Sequence, residues 1–422
     1  MPSNPLLAAR RVMTESFAGL PAPFWWLWVA TLVNRLAGFV ATFLAMYLTL
    51  GMGYSASFAG LIGSLYGGGA AAASVIGGAL TDRIGRRPTV LAAQLATSLS
   101  IIGLGLVENR LLIALLAFVV GLVSHVSRPA FGAMIADLVP DEDRPRAYSL
   151  NFWAANIGFG VSAAAAGLLA EQGYVLLFIG ESVATLICAV LVFLKVPETR
   201  NTDTPQSARK EGGIGFGVVL KDGTFMCLVG MTFLGVVLFQ QAATTLPIIM
   251  GREGFSSSDY GLVLSVNGLL IVLLQIPVSR ITKGKRPLHL LVVASLLCGY
   301  GFGLTAFADS LLLYAATVSL WTVGEIIFAP VGMQLTAQLA PEHARGRYQG
   351  MYGLSWSFTA LVTPAASGFV IDHAGPGVIW GACAVIGTVA ACGHALLHRK
   401  VTARTTPDAH KDGDTEPADA VG

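Results

Sequence analysis

Twelve long apolar runs constrain the fold of this chain more than any other feature of its sequence. A helix that crosses a membrane needs roughly 20 mostly apolar residues, and each run reaches that length. None alternates between apolar and polar residues as a barrel strand does, so we predict an all-α polytopic membrane protein with twelve transmembrane helices. The predicted spans lie at about residues 24–50, 58–80, 88–107, 111–139, 146–170, 174–195, 222–250, 258–279, 287–307, 311–339, 348–371 and 376–397.

The composition excludes several other classes of protein. Charged residues make up only 12% of the chain, against about 25% in soluble domains, which leaves too little polar surface for a soluble fold. The net charge of +2 and the lack of a basic run beside stacking aromatic residues argue against a nucleic-acid partner. The sequence contains no phosphate-binding loop, nucleophile–base spacing or metal-ligand spacing, so we expect no enzyme activity, no cofactor and no metal.

The basic residues predict how the spans are oriented. With the N-terminus in the cytoplasm, the outer loops contain only Arg110 and Arg252, and every other lysine or arginine outside the spans lies on the inner side. Cytoplasmic loops of membrane proteins carry such an excess of basic residues. We therefore predict a multi-pass protein of the cell (plasma) membrane with both termini in the cytoplasm. The first span is too long for a signal peptide and is expected to remain in the mature protein.

An internal repeat divides the chain into two halves. The segment RPAFGAMIADLVPDEDRPRAYSL (Arg128–Leu150) aligns without a gap with APVGMQLTAQLAPEHARGRYQGM (Ala329–Met351), 201 residues later. Six spans separate corresponding points, an even number, so both halves have the same orientation and the substrate path is expected between them. We predict a cytoplasmic N-terminus at 1–23, a six-helix bundle at 24–196, a flexible cytoplasmic linker at 197–221, a second bundle at 222–398 and a disordered cytoplasmic tail at 399–422.

Four charged residues lie deep within the predicted spans, where insertion costs about 2.5–3.5 kcal/mol each. They are Arg35, Arg128, Glu181 and Glu325, and Asp137 lies near an inner end. At 1.5 Å per residue, Arg35 and Arg128 are each about 16 Å from the inner ends of their spans, and Glu325 is about 21 Å from its own. Because buried charges pair, we predict that Glu325 pairs with Arg35 or Arg128.

One segment carries a family resemblance. The stretch GGALTDRIGRRPTVL closely resembles the signature that follows the second span in the major facilitator superfamily. The phrases FLAMYLTLGMGYS, SRPAFGAMIADLVPDEDR and WTVGEIIFAP are most similar to bacterial twelve-helix drug:proton antiporters and, more distantly, to proton-coupled peptide transporters. The antiporter pattern departs at two places: Ser162 and Ala163 replace a Gly-Pro pair in the fifth span, and Ala117 stands where the fourth span would carry arginine. The matching residues are Gly78, Leu80, Asp82, Arg83, Gly85, Arg86 and Arg87.

The resemblance implies a gating latch at the inner end of the second span. Asp82 would accept hydrogen bonds from the free N–H groups that start the eleventh span near Tyr348, in the other half. Arg86 would pair with Asp137 at the inner end of the fourth span. Together these contacts would hold the outward-facing state. The expected latch residues are Gly78, Asp82, Arg83, Gly85, Arg86, Arg87 and Asp137.

The resemblance also implies a central cavity lined by spans 1, 4, 7 and 10. Glu325 is then expected to exchange the proton, while Arg35 and Arg128 tune it or pair with substrate. Glu181 lies on span 6, usually outside such a lining, so a structural role is favoured for it. Further expected cavity residues are His125, Gln240 and Gln241, and Glu181 also stays a candidate for the cavity and the proton site.

These expectations predict a proton-coupled secondary transporter that works by alternating access and exports amphipathic drugs or natural products. One alternative is a proton-coupled importer of a small polar solute or peptide. A second alternative is a non-transporting membrane sensor on the same fold. The proton gradient would supply the energy, and the expected partners are a small-molecule substrate, protons and membrane lipids, with the protein as a monomer.

Overall fold

The computed structural model describes residues 19–199, 216–341 and 344–405. In these ranges it has twelve helices that are long and apolar enough to cross a membrane, and no strand. The predicted all-α fold with twelve spans is confirmed. The spans are α1 (Ala22–Gly51), α2 (Ala56–Ile84), α3 (Arg86–Leu106), α4 (Arg110–Leu138), α5 (Arg144–Gln172), α6 (Val175–Lys195), α7 (Gly223–Arg252), α8 (Ser257–Thr282), α9 (Pro287–Phe307), α10 (Leu311–Leu339), α11 (Arg345–His373) and α12 (Pro376–Thr405).

The two halves repeat each other helix by helix. Every span from α7 to α12 begins 201 residues after its counterpart in α1 to α6. Pro129 in α4 and Pro330 in α10 therefore occupy equivalent positions inside their helices. The parallel repeat predicted from the sequence is confirmed by the structure.

Local sequence sets several helix ends, again in equivalent places. The Ser55 side chain accepts a hydrogen bond from the Phe58 N–H at 3.2 Å and so starts α2. Its counterpart Ser256 starts α8 through a reciprocal capping box with Asp259. Gly85 has a φ of 104°, which favours glycine, and it separates α2 from α3.

Small residues join the halves along α2 with α11 and along α5 with α8. Gly60 and Gly67 lie against the backbone at Pro364 and Ala360, so a β-carbon has no room there. Gly160 and Gly268 touch each other in the same way. The contacts of Gly60 and Gly67 fall in the outer parts of their helices, where outer and inner follow the orientation predicted from the basic residues, and Gly160 and Gly268 meet near mid-helix. Nearer the outer side, Gly167 of α5 packs against Ser257 and Ser258 of α8. Close packing of small residues thus closes the outer side.

The same helices separate towards the inner side. A β-carbon built on Gly78 of α2 meets no atom within 4 Å, and the same holds for Gly346, Gly350 and Gly353 of α11. The halves are therefore in contact at the outer side and apart at the inner side. With the predicted orientation, this is the inward-facing arrangement.

The linker and the tail differ from the prediction where the structure describes them. Phe216–Lys221 form a short helix at the end of the predicted linker, and residues 200–215 lie outside the described residues. The predicted disordered tail starts too early, because α12 continues to Thr405. Val219 of the short helix and Val401 of α12 are both buried in one apolar cluster of the second half, which explains why both segments are helical.

Candidate functional site

Helix α1 is broken near mid-membrane, which the apolar pattern did not predict. Its first segment is Ala22–Leu36 and its second is Phe39–Met46, with Gly38 between them. A break leaves N–H groups at the start of the second segment without helical partners. The Val40 N–H donates to Glu181 Oε2 at 2.6 Å. Glu181 of α6 therefore caps the second segment of α1.

A cavity of about 510 Å³ opens beside this break. It lies within the first half and extends to Tyr148, near the inner end of α5. Each of the first six helices contributes a side chain to its wall. The polar and titratable side chains that line it include Arg35, Tyr66, Gln94, His125, Arg128, Tyr148 and Glu181.

Arg35 and Arg128 both expose their side chains in this cavity. Among the described residues, no carboxylate oxygen lies within 4.0 Å of either guanidinium group. The predicted pairing of Glu325 with one of these arginines is therefore wrong. Two cations at mid-membrane depth face the cavity without an acidic partner in contact.

Glu325 lies instead in the second half, between α10 and α8. Asn267 Nδ2 donates to Glu325 Oε2 at 2.9 Å and to Thr322 Oγ1 at 3.0 Å. Asn267 itself is buried. The carboxylate is turned towards α8 and does not line the cavity that holds the arginines, because an amide donor on the neighbouring helix holds it there.

Glu181, one of the candidate cavity residues, does line this cavity, although span 6 usually lies outside such a lining and a structural role was favoured for it. The break in α1 opens the wall between α1 and α6, so that the Glu181 carboxylate reaches both Val40 and the cavity. No feature of the α6 sequence indicates this position. The residues AG at 37–38 in α1 were the available signal, since glycine favours a break within a helix.

His125 and Tyr66 connect this cavity to a second one between the halves. The His125 Nδ1 lies 3.0 Å from the Gly121 carbonyl oxygen and 3.1 Å from the Ser124 hydroxyl. The Tyr66 ring packs edge-on against His125 at 5.8 Å. Both residues also line the second cavity, of about 250 Å³, together with Gln240 of α7 and Pro364 of α11.

The two glutamines predicted for the cavity differ in their roles. Gln240 lines the second cavity. Gln241 does not, since it is buried at the point where α7 is interrupted before Thr245. Its Oε1 accepts hydrogen bonds from Thr245 and, at 3.0 Å, from Ser367 of α11. Gln241 thus holds the interrupted helix together.

The inner ends of α2, α3 and α4 carry the predicted latch residues. Arg86 Nε lies 3.2 Å from Asp137 Oδ2, so the predicted ion pair is present. Sequence reasoning missed Glu198, which accepts from the Arg86 and Arg87 N–H groups at 3.1 and 3.0 Å and caps α3. Glu198 also lies against Gly85, where a β-carbon would meet its carboxylate at 2.9 Å.

The predicted contact between Asp82 and α11 is not formed in this arrangement. Asp82 and Arg83 are exposed at the inner end of α2, and none of the described residues bonds to the Asp82 carboxylate. Gly78, one turn earlier, faces open space. This fits a latch that closes only in the other state, and its gating role stays a prediction.

Comparison with known proteins settles the family. The family model described as Major Facilitator Superfamily matches residues 27–348 and 323–420. The chain belongs to this superfamily.

Relatives in the superfamily carry several names. The chain is 27% identical over 344 residues to the "Uncharacterized MFS-type transporter YttB" of Bacillus subtilis (strain 168), covering 80% of this chain and 85% of that protein. It is 22% identical to the "Na(+), Li(+), K(+)/H(+) antiporter" of Planococcus maritimus, covering 69% and 76%. It is 26% identical to the "Multidrug resistance protein MdtH" of Aeromonas salmonicida (strain A449), covering 75% and 79%.

A solved structure matches the fold over nearly the whole chain. It is described as a POT family transporter in complex with 5-aminolevulinic acid, with a TM-score of 0.76 and 17% identity, covering 92% of this chain and 98% of that one. At this identity the match concerns the superfamily fold alone.

One further set of contacts closes the outer side of this superfamily fold. Asp372, in the last turn of α11, accepts from the Ser57 N–H and Ser57 Oγ at 2.7 Å each and from the Ala56 N–H at 3.3 Å. It also pairs with Arg252 of α7 at 2.7 Å. Sequence reasoning missed this cross-half contact. Arg252 was a usable signal, as one of only two basic residues predicted in the outer loops.

Proposed function

We propose that this chain is a proton-coupled secondary transporter that works by alternating access, with Glu181 as the residue that exchanges the proton. The observation that carries the proposal is the position of Glu181 in the lining of the cavity that Arg35 and Arg128 also line. Glu325 was our expectation for this role, but its carboxylate bonds to Asn267 outside that cavity. A proton-exchanging group must be reachable from the aqueous cavity, and Glu181 meets this requirement.

The contact between Glu181 and α1 supplies a route from the proton to the conformation. An ionised carboxylate accepts strongly from the N–H at the start of a helix, and protonation weakens that bond. The second segment of α1 also takes part in the outer closure, since the Phe43 ring packs edge-on against the Tyr260 ring of α8 with centroids 5.1 Å apart. Protonation of Glu181 would therefore loosen a segment on which the outer closure depends.

Nearby groups tune this exchange. Burial favours a neutral carboxyl group, whereas neighbouring cations favour the ionised form. The titratable and charged groups that share the cavity with Glu181 are Arg35, Tyr66, His125, Arg128 and Tyr148. Any rearrangement that changes their distance from Glu181 changes its proton affinity, as coupling requires.

Two directions of coupling remain as candidates. Export in exchange for protons is supported by the names of two relatives, an antiporter and a multidrug resistance protein. Movement of solute and proton together, as for an importer of a small polar solute, is favoured by the two arginines that face the cavity without an acidic partner in contact. Both candidates use the same fold and the same proton site.

Inside-out vesicles with an imposed pH gradient test the proposal. A pH-sensitive dye would report proton movement when lipophilic amines, organic acids and neutral compounds are added in turn. We expect Glu181→Gln to insert normally and to lose proton movement, because an amide side chain cannot take up and release the proton. Glu325→Gln should retain it, and Glu171→Gln, at the exposed outer end of α5, serves as the matched control.

Two results would reject parts of this proposal. Proton movement at the wild-type rate in Glu181→Gln, with loss in Glu325→Gln, would return the proton to Glu325. Solute movement that never responds to the pH gradient would reject proton coupling altogether.

A further inference from the structure

The cavity of about 510 Å³ in the first half has an uneven balance of charge. Two arginines and one carboxylate line it, so the cavity carries a net positive charge whether Glu181 is ionised or protonated. His125 adds no negative charge, and the second half contributes no carboxylate to this wall. Charges at mid-membrane depth are stabilised by a counter-ion or by water. A positive cavity that opens towards one side selects an anion.

We infer that the transported solute carries an acidic group that binds to Arg35 and Arg128. This inference rests on the proposed function and names its substrate class. Guanidinium groups present planar pairs of N–H donors that match carboxylate, phosphate and sulfonate oxygens. The two arginines project from different helices, α1 and α4, so an anion between them bridges two walls of one cavity.

The size and lining of the cavity point to an organic acid rather than to an inorganic ion. Its volume of about 510 Å³ falls in the range typical of sites for drug-sized ligands, roughly 300–1,000 Å³. The rings of Tyr66, Phe131 and Phe159 lie in the lining beside the amides of Asn34 and Gln94. Such a wall can hold an apolar or aromatic body next to an acidic group.

The sign of the coupling follows from the charges. An anionic solute and an ionised Glu181 would be like charges in one cavity, so they repel each other and compete for it. Protonation of Glu181 removes this competition, so the proton and the solute favour each other's binding, and the effect is reciprocal. A cationic solute would have the opposite sign and would displace the proton. An acidic solute is therefore expected to move in the same direction as the proton, and not in exchange for it.

Binding to the purified full-length protein in detergent tests the inference with matched probes. Benzoate, benzamide and benzylamine share a ring and differ in charge, as do indole-3-acetate, indole-3-acetamide and tryptamine. Calorimetry in two buffers of different ionisation enthalpy measures both affinity and the protons exchanged. We expect at least one acid to bind with proton uptake, and its amide and amine to bind about tenfold more weakly or worse, as for loss of a charge-assisted hydrogen bond.

Variants separate the roles of the residues. Arg35→Gln and Arg128→Gln should each weaken acid binding about tenfold or more, and Arg35→Lys and Arg128→Lys should restore part of it. Arg110→Gln is the matched control, because Arg110 packs over Tyr54 at the outer end of α4. Glu181→Gln should bind the acid and take up no proton. Melting in the absence of probe shows whether each variant is folded.

The outcomes distinguish this inference from the proposed function. Binding of amines with proton release would overturn the acidic substrate and leave a proton-coupled antiporter. No binding by any acid would also overturn it, and so would stabilisation by acidic phospholipid alone. Acid binding without proton exchange, together with no dye response in vesicles, would reject the proposed function and retain the anion site.

Discussion

The two halves share a backbone plan but place different chemistry at mid-membrane. In the first half the charged groups at mid-membrane face an open cavity, whereas Glu325, at the same depth in the second half, is bonded within its own bundle by Asn267. The difference shows that a structural repeat does not require equivalent functions. We infer that the first half binds the substrate and exchanges the proton, and that the second half moves against it. The equivalent positions are Arg35 and Val236, Tyr66 and Asn267, Ser124 and Glu325, Arg128 and Ala329, and Glu181 and Ala382.

The equivalence of Tyr66 with Asn267 is informative. In each half the residue on the second helix reaches the fourth helix of its bundle. In the first half Tyr66 packs on His125, next to Ser124. In the second half Asn267 bonds to Glu325, the counterpart of Ser124. The same helix–helix contact therefore forms part of a polar cavity wall in the first half and a hydrogen bond away from that cavity in the second half.

The largest expected effect on stability concerns Gly158, which packs against the backbone and Cβ of Arg35. A β-carbon on Gly158 of α5 would lie 2.5 Å from the Arg35 Cβ and 3.2 Å from the Leu32 carbonyl oxygen. Gly158→Ala should therefore push α1 away from α5 and destabilise the protein by about 1–3 kcal/mol, the usual cost of overpacking. A lower melting temperature in detergent and weaker acid binding would both follow.

Two substitutions serve as controls for this prediction. Gly230→Ala in α7 meets no atom within 4 Å and should leave stability unchanged or slightly raised. Thr359→Val alters the second-half position equivalent to Gly158 and should not affect acid binding. Wild-type stability and binding in Gly158→Ala would show that α1 can shift freely, contrary to the role given to its break.

The next effect concerns the outer closure. Asp372→Asn removes the charge that pairs with Arg252 and weakens the bonds to the start of α2. Because the pair is partly exposed, we expect a loss of about 1–2 kcal/mol from the closed outer side, or roughly 5–30-fold in population. Ala45→Cys in a cysteine-free background reports this, since Ala45 is buried at the closure. Its labelling from outside by an impermeant maleimide should rise.

Glu171→Asn is the matched control for Asp372→Asn, since Glu171 is the equivalent acid in the first half and is exposed. It should leave the labelling of the Ala45→Cys reporter unchanged. Equal labelling in the wild type and in Asp372→Asn would mean that glycine packing alone holds the outer side closed.

The sequence predicts the spans and the repeat because both depend on long-range averages of hydropathy and on exact spacing. It also predicts the ion pair of Arg86 with Asp137, because the resemblance to the superfamily implies a contact between the signature after the second span and the inner end of the fourth span. The contact between Glu181 and α1 could not be predicted in this way. It depends on a break in α1 that is stabilised by a carboxylate 141 residues away. The orientation of Glu325 depends on its hydrogen bond with the Asn267 side chain on α8, and a hydropathy pattern does not predict such a bond.

The smallest effect on stability is expected at Asp82, at the other end of α2 from the Asp372 contact. Asp82 is exposed in this arrangement, so Asp82→Asn should change the stability of the inward-facing state by less than about 0.5 kcal/mol. Its predicted bonds to the start of α11 form only when the inner side closes, so their loss should favour the inward-facing state. In the Ala45→Cys background, labelling from outside should then fall, opposite to Asp372→Asn, and transport should slow although the protein is inserted. If neither labelling nor transport changes, the charge at Asp82 serves only the topology of the loop, and the two ends of α2 do not act as opposing latches.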